Sequence, residues 1–545
     1  MNIFRSIKII VLLSGVAVLF SQCYNPSAHP STDALAEGDT INLADTSQLA
    51  YAPNPAQLTD MFGINSYEWN FEENPAAKDE RKGIYEPNMA LIKTFSAMRH
   101  YLNWNKLEYT QGNYTFNPTR NGNWDYDLMY TRCKQDSILV LACLKNLPVW
   151  MMETYPSTER DDENVPAPYL SDLNTPASYV IQARTAFQFA ARYGYNTAVD
   201  TSLVKVDPHP VGAKTNEKKI GLGLVKYIEC GNENDRWWKG EKANQTAEQY
   251  AANLSAFYDG HKGTLGKNAG VKTADSTMLV VMTGLATADT AYLKRMVAWC
   301  KTNRGLKPDG SINLCFDVIN YHFYANDGDI FSHKKATTGV APELSASGAV
   351  ADGFVKYANS LPGKPEVWVT EVGYDLNPGS YQRAPEIGTK GPRQTQGDWI
   401  LRSSLLYLRH GVKRLFFYQL FDAFPGKAEQ YATSGLAQSP KRRPAADYIL
   451  QTTKLLRGYQ YKGTIGQNPL IDKFEKDGKV VYALTIPEQT GQVRTYTLDF
   501  GTETPIVVYK PKPGADNMAQ STVQAINGKL TLQLSETPQF LQVGE

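Results

Sequence analysis

Eight apolar, β-branched runs separated by stretches of helical character constrain this chain more than any other feature. They are Met61 to Asn65 (MFGIN), Ser96 to Arg99 (SAMR), Ile138 to Leu144 (ILVLACL), Leu224 to Glu229 (LVKYIE), Met278 to Met282 (MLVVM), Val318 to His322 (VINYH), Val367 to Thr370 (VWVT) and Leu415 to Tyr418 (LFFY). Continuous apolar runs without alternation are the signature of parallel strands buried on both faces. The intervening stretches, among them Pro176 to Tyr193, Ala247 to His261, Ala291 to Thr302 and Gly397 to Arg409, are long enough for helical crossovers. Eight such units predict an α/β chain whose strands close into a (β/α)8 TIM barrel over residues 55–454. An open doubly wound sheet is the alternative, and the first run is not followed by the GxGxxG of a dinucleotide-binding version.

A barrel needs about 250 residues, so the surplus is expected in insertions at Glu153 to Ala177, Thr197 to Lys218 and Ala325 to Ser345. After about Leu455 the pattern changes to short strands split by turns: Val480 to Ile486, Thr495 to Phe500, Ile506 to Tyr509, Leu530 to Leu534 and Phe540 to Val543. A small all-β sandwich is therefore expected over 455–545, with Asn527-Gly528 as a hairpin turn. At the other end, Arg5 and Lys8 precede the apolar run Ile9 to Phe20, and Cys23 follows, so residues 1–23 read as an export signal. That run is too short for the roughly 20 residues of a membrane span. LFSQC resembles a lipobox, which makes Cys23 the expected lipidation site of a bacterial envelope lipoprotein, with plain secretion as the alternative. Residues 24–54, rich in Pro, Ser, Thr and Ala, read as a flexible tether.

Charge narrows the partners. Lys and Arg number 56 against 55 Asp and Glu, a net charge of +1, so no overall field would hold nucleic acid, and a membrane is expected only through the lipid anchor. Of the other cysteines, none forms a CxxC, so a structural zinc site is not expected. Cys300 and Cys315 bracket a loop that a disulfide could close. No P-loop, HExxH or GxSxG is present.

Catalytic groups of a barrel sit at the C-terminal ends of its strands. Glu233 follows the fourth run in YIECGNENDRWW, and Glu371 follows the seventh in VWVTEVGYD. Two carboxyl groups facing each other are what glycoside hydrolysis requires: one protonates the departing oxygen, the other attacks the anomeric carbon or activates water. The residues around them resemble clan A of the retaining glycoside hydrolases. Gly231-Asn232-Glu233 and Glu371 stand where that clan carries its catalytic glutamates, and NWNKLEYTQGNYTFN and YHFY are similar to its stretches after strands two and six. SGLAQSPKRRPAADY resembles the segment after its strand eight, and the tail resembles the β-sandwich of families thirty and thirty-nine among others. The chain departs from the pattern at Asn234, where proline often follows the acid/base, and at Tyr418, where a tryptophan often ends strand eight.

The resemblance implies that Glu233 is the acid/base and Glu371 the nucleophile, with Arg99 bracing the nucleophile and Asn232 bonding the sugar 2-hydroxyl. His322, Tyr324 and Tyr418 are further substrate-site candidates, and Trp104 and Trp238 are expected as stacking platforms. Arg99 with Tyr324 or His322 is expected to keep Glu371 ionised, and the apolar surroundings of Trp237 and Trp238 to keep Glu233 protonated. The expected activity is retaining hydrolysis of a neutral polysaccharide, endo-acting and first on β-glucan, with xylan, mannan and galactan as other substrates and no cofactor or metal. The alternatives are an exo-acting β-xylosidase, α-L-arabinofuranosidase or glucuronidase, and a surface glycan-binding protein without turnover.

Overall fold

The computed structural model describes residues 40–44, 49–77, 83–328, 334–427 and 429–544. The export signal, Cys23 and the first part of the expected tether lie outside the described residues. Eight parallel strands close a barrel: β1 (Gly63–Ser66), β2 (Ala97–Asn103), β3 (Leu139–Lys145), β4 (Tyr227–Cys230), β5 (Leu279–Val281), β6 (Val318–His322), β7 (Glu366–Val372) and β8 (Arg414–Phe417), with β8 pairing back onto β1. Helices α1 (Glu86–Ile92), α2 (Tyr126–Gln135), α3 (Val180–Tyr193), α4 (Ala247–Asp259), α5 (Thr290–Asn303), α6 (Ser347–Ser360), α7 (Pro392–Arg409) and α8 (Pro444–Leu456) follow the strands one by one. Local chemistry fixes their ends. At α4, Thr246 and Gln249 form a reciprocal capping box, and Gly260 closes the helix in the left-handed conformation.

The strand period of two sorts the barrel interior into layers. Ala97, Leu141, Val281, Val318, Trp368 and Phe416 form an apolar plug at the floor. Two residues further along their strands come Arg99, Asn320 and Thr370, joined by Asn65 of β1 and Glu229 of β4 in a buried polar layer. Above it, at the C-terminal mouth, stand Tyr101, His322 and Tyr418. β7 breaks the alternation. Its register shifts against both neighbours around Thr370 and Glu371, and this bulge turns both side chains inward.

The tail is a sandwich of β9 (Gln460–Ile465), β10 (Leu470–Lys476), β11 (Lys479–Thr485), β12 (Arg494–Asp499), β13 (Pro505–Lys510), β14 (Ala519–Gln524), β15 (Lys529–Leu534) and β16 (Gln539–Val543). Two short strands from before the barrel complete it. Thr40–Asn42 pairs with β12, and Leu49–Tyr51 pairs with β9. These residues are thus not tether: Ile41 and Leu43 are buried in the sandwich core, so the chain enters through the C-terminal unit before forming the barrel. The Asn527-Gly528 turn forms with both φ positive, but it links two sheets, because β14 pairs with β13 and β15 with β12. Cys300 and Cys315, which a disulfide could join, are brought together with their sulfurs 3.4 Å apart and are free thiols. Among the described residues no helix is long and apolar enough to cross a membrane.

Candidate active site

β2, β4, β6 and β7 deliver the chemistry. Arg99 is fully buried and donates from Nη1 to Glu371 Oε1 at 2.8 Å and to Asn65 Oδ1 at 3.1 Å. From Nη2 it donates to Asn232 Oδ1 at 2.7 Å, and its Nε and Nη2 form a bidentate pair with Glu229 at 2.7 and 3.0 Å. The Tyr101 hydroxyl also donates to Glu371 Oε1, and Tyr324 donates to Oε2 at 3.0 Å. Burial alone would raise the Glu371 carboxyl. The charges of His322 and Arg99 and the hydrogen bonds from Tyr101 and Arg99 outweigh it and bring Glu371 down to about 2.

Glu233 takes a left-handed backbone at φ 50°, directly after Gly231 at φ 81° and Asn232, so the chain turns sharply out of β4. A side chain at Gly231 would also strike the Asn234 amide, with Cβ 2.2 Å from its Oδ1. The turn carries the Glu233 carboxylate to His322, whose Nδ1 lies 3.0 Å from Glu233 Oε1 and 3.6 Å from Glu371 Oε2. His322 Nε2 rests 3.1 Å from Thr370 Oγ1, which accepts from Asn320 Nδ2 at 2.8 Å. Gly284, just past β5, makes room for the imidazole: a Cβ there would lie 2.0 Å from His322 Nε2.

Glu233, His322 and Glu371 each place a ligand atom within 4.8 Å of the others, the one such group of acidic, His or Cys side chains among the described residues. The donor set is poorly matched to a cation, because Arg99 and two hydroxyls already occupy the Glu371 oxygens. It suits proton transfer between two carboxyl groups whose surroundings differ.

An aromatic wall surrounds these groups. Tyr418 packs against Tyr101 and Tyr431, with centroids 6.5 and 5.7 Å apart, and Tyr324 lies 5.0 Å from Tyr431. Burial, with the charge of Glu371 adding to it, pushes the Tyr418 phenol up to about 12. Tyr67 meets Tyr101 edge-on and stacks face to face on Trp69 at 4.5 Å, and Trp69 borders a cavity of about 590 Å³ with Asn70, Glu73 and Phe421.

The structure thus brings Glu233, Glu371, Arg99, Asn232, His322, Tyr324 and Tyr418 together. Trp104 is elsewhere: it is 1% exposed, donates to Glu108 at 2.6 Å and packs edge-on against Trp150, so it is core and not a stacking surface. Trp237 and Trp238 do not enclose Glu233 in an apolar pocket. They are 69% and 51% exposed on the loop after it, and the hydrogen-bonding neighbour of its carboxylate is His322. Tyr101, Glu229, Asn320 and Thr370 were not singled out from the sequence, yet counting by two along each strand from Arg99, Gly231 and His322 reaches the first three.

No protein-family model and no curated protein matches the chain. Solved structures do match its fold. A family 39 glycoside hydrolase from the gut symbiont Bacteroides cellulosilyticus WH2 is 16% identical, with 89% of this chain and 81% of that one covered and a TM-score of 0.59. A family 51 α-L-arabinofuranosidase from Bifidobacterium longum is 14% identical over 92% of this chain and 98% of that one, with a TM-score of 0.51. A family 30 subfamily 8 xylanase from Clostridium acetobutylicum is 12% identical over 93% and 99%, also with a TM-score of 0.51. At these identities the likeness is one of fold alone, shared with these three structures over about nine-tenths of the chain.

Proposed function

We propose that the chain is a retaining glycoside hydrolase acting on β-linked neutral polysaccharide. The observation that carries this reading is the approach of one carboxylate oxygen of Glu233 to within 4.8 Å of one of Glu371 across the barrel mouth. Carboxyl groups about 5 to 5.5 Å apart leave room for a glycosyl-enzyme, whereas inversion needs roughly 6.5 to 9.5 Å to admit a water. Glu371, held low at about 2, is the ionised nucleophile that attacks the anomeric carbon. Glu233 gives its proton to the departing oxygen, then takes one from the water that opens the ester. Asn232 has its oxygen committed to Arg99, so its NH₂ is turned to donate, in keeping with a bond to the sugar 2-hydroxyl.

Endo action is supported by aromatic surface that extends past the residues holding the glutamates. Trp237 and Trp238 are exposed beyond Glu233, and the path from Tyr101 through Tyr67 to Trp69 leads away from Glu371 into the adjoining cavity. β-Glucan is the first substrate to try, ahead of xylan, mannan and galactan. Export with lipidation at Cys23 is part of the proposal, resting on the LFSQC segment. Loss of radiolabelled palmitate incorporation in Cys23→Ala is the expected outcome, and labelling that persists would remove the anchor from the reading.

The test of activity is incubation with β-1,3- and β-1,4-glucans, xylan, mannan and galactan beside Glu371→Gln and Glu233→Ala. Wild type is expected to release an oligosaccharide ladder with β-anomers formed first by NMR, and Glu371→Gln to lose at least about 10³-fold. Monosaccharide alone would mean exo action, first-formed α-anomers would mean inversion, and binding without turnover would mean a glycan-binding protein.

A further inference from the structure

Glu229 is a third carboxylate, just below the barrel mouth, and the hydrolysis described above makes no use of it. It stands on β4, fully buried, in the polar layer beneath Glu371. Its Oε2 accepts from Arg99 Nε at 2.7 Å. Its Oε1 accepts from Arg99 Nη2 at 3.0 Å, the Gly284 N–H at 3.1 Å and Asn320 Nδ2 at 2.9 Å. Arg99 spends its remaining donors on Asn65, Asn232 and Glu371. One buried guanidinium therefore serves two carboxylates, and for neutralising Arg99 in the resting state one would be enough.

Double displacement changes that count. As Glu371 attacks, a bond forms between its carboxylate oxygen and the anomeric carbon, the glycosidic C–O bond breaks, and the proton of Glu233 leaves with the aglycone. Glu371 is then a neutral ester. If Glu371 were the only counter-ion of Arg99, the intermediate would contain a buried unpaired guanidinium, which is strongly unfavourable. Removing that charge from Arg99 would also be the barrier to nucleophilic attack.

We propose that Glu229 is the resident counter-ion of Arg99, a positioning residue that keeps the guanidinium in a neutral pair through the covalent intermediate. Arg99 can then orient Glu371 without holding its charge back from the sugar. The inference rests on the double-displacement reading and adds a second carboxylate to it.

The test uses the full chain and a 2-deoxy-2-fluoroglycosyl donor with a dinitrophenolate leaving group, built on the sugar wild type releases fastest from aryl glycosides. Inactivation reads formation of the ester, and recovery of activity in buffer reads its hydrolysis. Glu229→Gln is expected to slow inactivation about 100-fold while recovery is unchanged or faster, because only the ester state carries the unpaired charge. Glu229→Asp disturbs the packing but keeps the charge, and is expected to hold the ratio of the two rates within about threefold of wild type. A merely structural role would lower both rates together in Glu229→Gln, and that result, or no change in either, overturns the proposal. Should Glu229→Gln fail to fold by circular dichroism, Asn320→Ala, which withdraws one donor from Glu229, is expected to shift the ratio in the same sense, and an equal fall in both rates again overturns it. A wild type neither inactivated nor active on any aryl glycoside or on any of the polysaccharides ends the hydrolase reading and this inference with it. An active wild type with an unaltered Glu229→Gln ends the inference alone.

Discussion

At Glu371 the charges of His322 and Arg99 and the hydrogen bonds from Tyr101 and Arg99 act against burial and outweigh it. The carboxyl stands at about 2 in the folded chain against the usual 4.5, so the unfolded chain binds its proton more tightly. The stabilisation this gives is therefore fully present above about pH 4.5 and is lost as pH falls toward 2, amounting to roughly 3 kcal/mol at ~1.4 kcal/mol per unit. Glu371→Gln has no proton to gain there. Urea midpoints at pH 7, 4.5 and 3 are expected to fall more steeply for wild type than for the variant, and parallel curves would show that Glu371 is not held low. The residues of this cluster were unequally legible in the sequence. Glu233, Asn232 and Arg99 sit in short motifs beside turns, where a polar residue in apolar surroundings stands out. Glu229 and Asn320 lie within the strand runs and read as members of those runs, although each is fully buried in the polar layer. Trp104 misled for the opposite reason. Its place just after the strand bearing Arg99 suggested a cleft, but the chain turns into a short helix at Trp104–Leu107 and carries the indole inward to Glu108.

Among the elements, β7 and the segment after β5 do the most to shape the mouth. The bulge at Thr370 and Glu371 gives β7 one more inward side chain than the alternation allows, so one strand supplies both the candidate nucleophile and the hydroxyl that meets His322. A bulge leaves no clear mark in a single sequence: VWVTEV reads as a plain buried strand, and only the register with β6 and β8 shows the extra residue. The segment after β5 acts by what it lacks. Because a Cβ on Gly284 would lie 2.0 Å from His322 Nε2, Gly284→Ala must displace the imidazole from both Thr370 and Glu233. Turnover of a glycan is expected to fall about 10- to 100-fold in Gly284→Ala, with a smaller loss on a dinitrophenyl glycoside, whose leaving group needs no proton from Glu233. Equal losses on the two substrates would mean that the variant damages the site generally and does not act through the Glu233–His322 contact.

At the scale of the whole molecule, the barrel and the sandwich share material rather than merely adjoining. Tyr461, Phe474, Val481, Ala483 and Phe540 of the sandwich belong to the same continuous apolar core as the barrel helices. Arg409, the last residue of α7, forms a buried bidentate pair with Asp472 of β10 at 2.8 and 2.7 Å. Composition and turn signals separate 55–454 from 455–545 cleanly in the sequence, but they cannot show this shared core, nor that Thr40–Asn42 and Leu49–Tyr51 cross back into the sandwich, because three-residue strands carry too little periodicity to read. A chain beginning at Ala52 loses both strands, and with them the burial of Ile41 and Leu43 and the hydrogen bond from the Leu43 N–H to Asp499. Two buried aliphatic side chains correspond to about 3 to 6 kcal/mol as an upper bound. All nine tryptophans precede residue 400, so their fluorescence reports only the barrel, while far-ultraviolet circular dichroism reports both units. If the shared core and the Arg409–Asp472 pair make one cooperative unit, a chain from Ala52 is expected to unfold in urea at a lower midpoint than a chain from Thr40 by both signals together. An unchanged tryptophan transition beside an earlier dichroism phase would instead mean that the sandwich melts alone and the barrel stands without it.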